Sequence, residues 1–158
     1  MTPAFFRRIA VRILVDADAC PVRELIVEQA KALQIPVVLV ADHSHHLEDG
    51  YSQVILVDQG RESADLKLAN LMHPGDLVVT QDYGVAAMAL GRGARALHQS
   101  GIEYTSQNID QLLFERFLGQ KVRRAGGRAG RLHRRTSQED LAFSQALAKI
   151  LRQMEQTP

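Results

Sequence analysis

The 158-residue chain reads as one α/β domain, with a largely parallel sheet of about five strands and helices on both faces, followed by a basic segment and a last helix. Three observations predict this. Short β-branched runs alternate with segments of helical spacing, the pattern of repeated βαβ units. One run, Ile35–Ala41 (IPVVLVA), is almost wholly apolar, as a strand covered on both faces must be. The chain is also long enough for one sizeable core and too short for two ordinary ones.

The elements follow in order. Val11–Val15 is the first strand, interrupted only by Arg12. Pro21 suits the first position of a helix, and Val22, Leu25, Ile26, Ala30 and Leu33 then keep helical spacing. Ile35–Ala41 is the second strand and Gln53–Val57 the third, separated by a polar loop, His43–Tyr51, that carries three histidines. Ser63 is placed to cap a helix from Ala64 to about Met72, with Asp65 in the first turn, where negative charge favours the helix dipole. His73-Pro74-Gly75-Asp76 makes a turn, and Leu77–Thr80 the fourth strand. Gly84–Leu90 is a short Ala-rich helix closed by Gly91 and Gly93, and Ala94–His98 a weaker fifth strand. Thr105 or Ser106 caps the helix Ile109–Leu118. Thr136 and Glu139 have capping-box spacing ahead of a final helix whose stripe is Phe143, Leu147, Ile150, Leu151 and Met154. Residues 1–120 form the α/β domain on this reading, and 121–158 a basic segment and helix that fold back on it.

Composition sets the setting. Apolar content of 46% and charged content of 23% are ordinary for a folded protein in water. The single cysteine cannot form an internal disulfide, which fits a reducing cytoplasm. No apolar run approaches the roughly 20 residues that cross a bilayer. The N-terminal MTPAFFRRIA puts its arginines after the apolar patch, the reverse of a secretory signal. A cytoplasmic protein without a membrane anchor is expected, and a homo-oligomer is compatible with all of this.

The chemistry concentrates in aspartates. Asp16 and Asp18 leave the carboxyl end of the first strand, Asp82 follows the fourth, and Asp65 opens a helix. Open α/β sheets place ligands at that edge, so one crevice could collect all four. Carboxylates brought that close repel one another, which raises a pKa unless a cation holds them. Mg²⁺ or Mn²⁺ prefers such oxygen donors and could orient a phosphodiester for attack by water. The plainer reading makes these residues turn and cap formers, a common use of Asp.

Three stretches, ILVDADACPV, GRESADLKLANL and DLVVTQDYGVAAMAL, together resemble the YaiI/YqxD family of uncharacterised bacterial proteins. That family is similar in turn to PIN and NYN nuclease-type domains. The resemblance implies a PIN-like three-layer α/β/α fold with catalytic acids at Asp16, Asp65 and Asp82. Asp16, Asp18, Asp65 and Asp82 would then ligate Mg²⁺ or Mn²⁺. Many such nucleases carry a further acid two residues after the last Asp, where this chain has Gly84.

Lys121–Arg135 (KVRRAGGRAGRLHRR) holds seven basic residues, Lys121, Arg123, Arg124, Arg128, Arg131, Arg134 and Arg135, and no acid. Spaced by Gly and Ala, they read as a phosphate-binding arm for RNA or another nucleic acid. No aromatic residue is interleaved, so base stacking is not indicated. The alternatives are a solvated loop, or a segment that pairs with acids on a partner subunit. Cys20 before Pro21 reads as a small buried residue rather than a nucleophile, Lys67 as a surface residue, and His43, His45 and His46 as loop residues. Ser63 and Asn70 are weak candidates for the crevice wall.

These features predict a metal-dependent phosphodiesterase, a nuclease acting on RNA. Two alternatives stand beside it. A PIN-like domain can bind RNA or protein without turnover. Asp16-Ala17-Asp18 also matches the DxD of haloacid-dehalogenase-type phosphatases, with Asp16 as nucleophile and Asp18 as general acid. Against that, Cys20 stands where a Thr or Val is usual, and Gly75-Asp76 precedes its strand instead of following it.

Overall fold

Ile13, Leu14 and Val15 have no exposed surface, and the strand they form lies in the middle of the sheet. In the computed structural model, residues 11–18, 20–42, 46–58, 63–126 and 134–156 are described, the side chains of Arg123 and Gln156 excepted. The elements run β1 (Ile13–Asp16), α1 (Arg23–Leu33), β2 (Val37–Asp42), β3 (Gln53–Val57), α2 (Ala64–Leu71), β4 (Leu77–Val79), α3 (Tyr83–Gly91), β5 (Arg95–Leu97), β6 (Glu103–Tyr104), α4 (Ile109–Arg124) and α5 (Ser137–Gln156). The expected α/β class with helices on both faces is what forms.

The sheet order is β3-β2-β1-β4-β5-β6. The first five strands are parallel, and β6 closes the edge antiparallel to β5. The chain moves outward from β1 through β2 to β3, then returns to lay β4 on the other side of β1. The carboxyl ends of β1 and β4 therefore flank the point where strand order reverses, the usual place for a ligand crevice in such sheets.

Alternate residues of each strand feed opposite layers. Ile13 and Val15 face a core built with Val22, Ile26 and Ala30 from α1 and its approach, and Phe143, Leu147, Ile150, Leu151 and Met154 from α5. Leu14, Val38 and Val78 face the other core, with Leu68 from α2, Val85, Ala86 and Ala89 from α3, and Ile109 at the start of α4. The final helix is thus half of one helical layer. Gly101 (φ +95°) lets the turn between β5 and β6 press on it, since a Cβ there would lie 2.8 Å from the Ala142 carbonyl oxygen.

The helix starts are set by local hydrogen bonds. Ser63 Oγ accepts from Leu66 N at 3.1 Å to cap α2. Thr105 Oγ1 accepts from Asn108 N while Asn108 Oδ1 accepts from Thr105 N, a reciprocal pair just ahead of α4. Thr136 Oγ1 accepts from Glu139 N and Glu139 Oε1 from Thr136 N, so the expected capping box opens α5.

Three elements differ from expectation. Helix α1 starts at Arg23, two residues after Pro21. Strand β6 is additional, with two residues too few for a periodic signal. Helix α4 does not stop at Leu118 but continues to Arg124. Gly119 lies inside the helix at a cost of about 1 kcal/mol relative to Ala, and the helix ends ahead of Gly126, whose φ of +85° is not helical.

At the amino edge of the sheet, Asp76 is fully buried. Its two oxygens each lie 3.3 Å from Arg12 Nε, and it accepts from His73 N at 2.8 Å. Arg12 Nη2 also donates to the Leu71 carbonyl oxygen. One buried carboxylate so joins the entries of β1 and β4 to the end of α2.

Candidate functional site

At the opposite, carboxyl edge, Asp16, Asp18, Asp65 and Asp82 line a single cleft of about 520 Å³. Each arrives for a local reason. Asp16 is the last residue of β1, held by Thr80 Oγ1, which donates to its Oδ2 at 3.1 Å. Asp18 sits in the turn beyond and accepts from Asp42 N at 3.3 Å. Asp65 rides the first turn of α2, one residue after Ala64, which also lines the cleft. Asp82 is the N-cap of α3, its Oδ1 accepting from Gly84 N at 2.8 Å and Val85 N at 3.2 Å.

Thr80 braces this wall. It is buried, donates to Asp16 and accepts from Asp82 N at 3.0 Å through the same hydroxyl oxygen. Its carbonyl accepts from the hydroxyl of buried Tyr104 at 3.0 Å. Tyr104 in turn packs edge-on against Tyr83 and His98. The strand end that carries two of the acids is therefore fixed from behind.

Crowding shows in the acidities. Burial, followed by the charges of Asp65, Asp18 and Asp82, raises the Asp16 carboxyl from 3.8 to about 6, although the Thr80 hydrogen bond opposes the rise. Burial also raises Asp65, and the charge of Asp82 with a hydrogen bond to it adds to the effect, while Arg116 opposes it. Arg116 reaches the cleft from α4, its Nη1 3.6 Å from Asp82 Oδ1. Both partners are substantially exposed, so that ion pair is weak. Four carboxylates thus face one guanidinium.

The donor set is oxygen-rich and suits a hard cation better than a soft one. Among the described residues, however, no group of three or more His, Cys, Asp or Glu stands close enough to hold a metal ion together. The cleft is not a closed cage. It fits the looser mode in which one or two carboxylates and several waters hold Mg²⁺.

A model of the YaiI/YqxD family of uncharacterised proteins matches residues 14–153. The chain belongs to this family. It is 55% identical over 148 residues to the UPF0178 protein of Ruminiclostridium cellulolyticum, covering 94% of this chain and 97% of that one. The UPF0178 protein of Alkaliphilus oremlandii is 48% identical over 141 residues, covering 89% of this chain and 91% of its own. That of Natranaerobius thermophilus is 42% identical over 144 residues, with 91% and 98% covered. No solved structure matches the chain.

The remaining predicted residues of this YaiI/YqxD protein are dispersed. Ser63 and Asn70 are exposed and stay out of the cleft. Lys121 and Arg124 ride the end of α4, and Lys121 Nζ lies 5.4 Å from the Phe117 ring centre. Arg134 is exposed. Arg135 is engaged: it pairs with Asp140 at 2.6 Å and donates to the Gln99 carbonyl at 2.7 Å. Arg128, Arg131, His43 and His45 lie outside the described residues, as does the side chain of Arg123. Burial raises the Cys20 thiol above its ordinary pKa, which disfavours the thiolate. Asp76, weighed above in the phosphatase reading, lies at the entry of β4, the end opposite Asp82, and serves the Arg12 network.

Arg116, Gln81 and Tyr83 line the cleft without having been singled out in the sequence. Gln81 and Tyr83 could have been found as neighbours of Asp82. Arg116 carries no local signal, because only the packing of α4 against α3 brings it there. Gly84 abuts the capping carboxylate of α3. A Cβ there would sit 3.1 Å from Asp82 Oδ1, so the carboxylate would have to give by a few tenths of an ångström.

Among the described residues, no helix is long and apolar enough to cross a membrane.

Proposed function

We propose that the cleft binds a divalent cation, Mg²⁺ or Mn²⁺, and hydrolyses a phosphodiester, with RNA as the first substrate to test. The observation that carries this reading is the arrival of Asp16, Asp65 and Asp82 from three separate elements in one cleft at the strand-order reversal. Turn-forming or capping alone would not require them to share a wall, or place Asp16 where burial first and neighbouring carboxylates second raise it to about 6. The similarity of the YaiI/YqxD family to PIN and NYN nuclease-type domains supports the same assignment of roles.

Asp16 and Asp82 would hold the ion, with Asp65 and Asp18 acting directly or through water. The bound ion would polarise the phosphate and lower the pKa of an attacking water. Thr80 fixes the Asp16 carboxylate, and the α3 amides fix that of Asp82, so neither needs to reorganise when substrate arrives. Arg116 supplies a guanidinium at the rim that can contact a phosphate. Lys121, Arg124 and Arg134 add exposed positive charge for the polyanion.

A second reading has its own support. The loose carboxylate spacing and the Arg116–Asp82 contact also suit a binding domain that neutralises its acids internally and never turns over. Incubation of labelled single-stranded RNA with purified protein and Mn²⁺ separates the two. Cleavage that EDTA stops, and that Asp82→Asn lowers by about 100-fold or more, supports the hydrolase. Asn keeps the cap of α3, so the fold is not the variable. Salt-sensitive binding without cleavage supports the binding domain, and equal cleavage by wild type and variant identifies a contaminant.

A further inference from the structure

Helix α4 faces inward with Ile109, Leu112, Leu113 and Arg116, and outward with a second apolar stripe. Phe114 is 58% exposed, Phe117 49%, Leu118 45% and Val122 42%. Positions 114, 118 and 122 are successive (i, i+4) neighbours, and 117 flanks them, so the four form one continuous face over two turns. No other helix of the described residues shows four large exposed apolar side chains in register. A stripe of this kind is the face of a helix that packs against another helix.

The charges around it specify which helix. Asp110 and Glu115 lie in the first half of α4, and Lys121 and Arg124 in the second. Asp110 precedes Leu118 and Arg124 follows it on the same edge of the stripe, by about two turns each way. A second copy of the helix laid antiparallel across Leu118 puts Phe114 against Val122 and Leu118 against Leu118. The same two-fold brings Asp110 of each chain within about half a turn of Arg124 of the other, a gap the long arginine side chain spans. A parallel pairing would instead oppose like charges at both ends.

We propose that this chain forms a two-fold homodimer through the outer face of α4. The surface is self-complementary in shape and in charge, as an isologous interface requires. Arg116 points the opposite way, toward the carboxylate cleft, so pairing leaves both clefts open. The proposal is independent of the hydrolase reading. An aromatic platform for single-stranded nucleic acid is the competing use of Phe114 and Phe117, but aliphatic Leu118 at the middle of the face and Val122 at its end favour a helix as occupant.

Analytical ultracentrifugation of the full chain, from low-micromolar to near-millimolar concentration, tests this. Wild type is expected to move from the mass of one chain to that of two. Leu118→Glu should weaken association by roughly 100-fold, since it puts two charges on the axis. The side chain is exposed in the single chain, and an unchanged circular dichroism melt confirms that folding survives. Asp110→Arg alone and Arg124→Asp alone should each weaken pairing, and the two together should restore it. A wild type that stays single at every concentration overturns the proposal. So does a dimer indifferent to Leu118→Glu, or a double charge swap that fails to rescue. Loss of RNA binding in Phe114→Ala with no change in mass would assign the face to nucleic acid instead.

Discussion

Replacing Asp16 with asparagine is expected to abolish cleavage, by about 100-fold or more, while making the protein more stable at neutral pH. Both effects come from one carboxylate. Asn retains an oxygen that accepts from Thr80 Oγ1, so the local geometry survives, but the charge that would hold a cation is gone. The stability gain follows from titration. Asp16 holds its proton up to about pH 6 in the folded protein and releases it near 3.8 in the unfolded chain. Between those values the folded state binds more protons, so stability falls as pH rises, and the whole penalty is present above about 6. The shift corresponds to at most about 3 kcal/mol, and partial solvation of Asp16 reduces this to about 1–2 kcal/mol. Thermal melts should therefore show Asp16→Asn ahead of wild type by about 4 °C at pH 8, with the gap closing toward pH 4. A variant that melts lower than wild type at pH 8 would mean that the Asp16 charge stabilises the fold, contrary to this account.

Asp76→Ala should act in the opposite sense, costing about 3 kcal/mol and lowering the melting temperature by about 6–12 °C. Asp76 is fully buried and serves Arg12 and His73 N at once. Its removal leaves the His73 amide without its acceptor and takes one partner from a mostly buried guanidinium. Arg12 is still anchored to the Leu71 carbonyl, which keeps the cost below that of an isolated buried charge. Because this network lies at the amino edge of the sheet, any cleavage activity per folded molecule should be unchanged. Chemical denaturation with an activity assay on the folded fraction checks both halves. A loss of specific activity in well-folded Asp76→Ala would place this residue in the chemistry after all.

The contrast between these two aspartates shows what was legible in the sequence. Asp16 and Asp82 announce themselves by following apolar strand runs, and Asp65 by following the capping Ser63. The α/β class, the capping box at Thr136 and Glu139, and the final apolar stripe were equally readable, because each depends on residues a few positions apart. The strand order was not. That β1 and β4 lie side by side is a consequence of long-range pairing, Ile13 with Leu77 and Val15 with Val79. Arg116 is hidden for the same reason. The outer stripe of α4 escaped because the basic residues after Leu118 read as a loop, whereas Lys121 and Arg124 continue the helix and give its second half the charge opposite to Asp110. The last helix, read as folding back on a finished domain, supplies five side chains to the core around Ile13 and Val15.

The central claim is that Asp16 and Asp82, at the carboxyl ends of β1 and β4, hold a cation between them. Its most direct test is an anomalous-scattering map from a crystal soaked in Mn²⁺. The account predicts a peak within ligand distance, about 2.2 Å, of oxygens from Asp16 and Asp82, and its disappearance in Asp82→Asn. A cleft that takes up no Mn²⁺ at concentrations saturating for Mg²⁺-type sites, or a peak bound to other carboxylates alone, would contradict it.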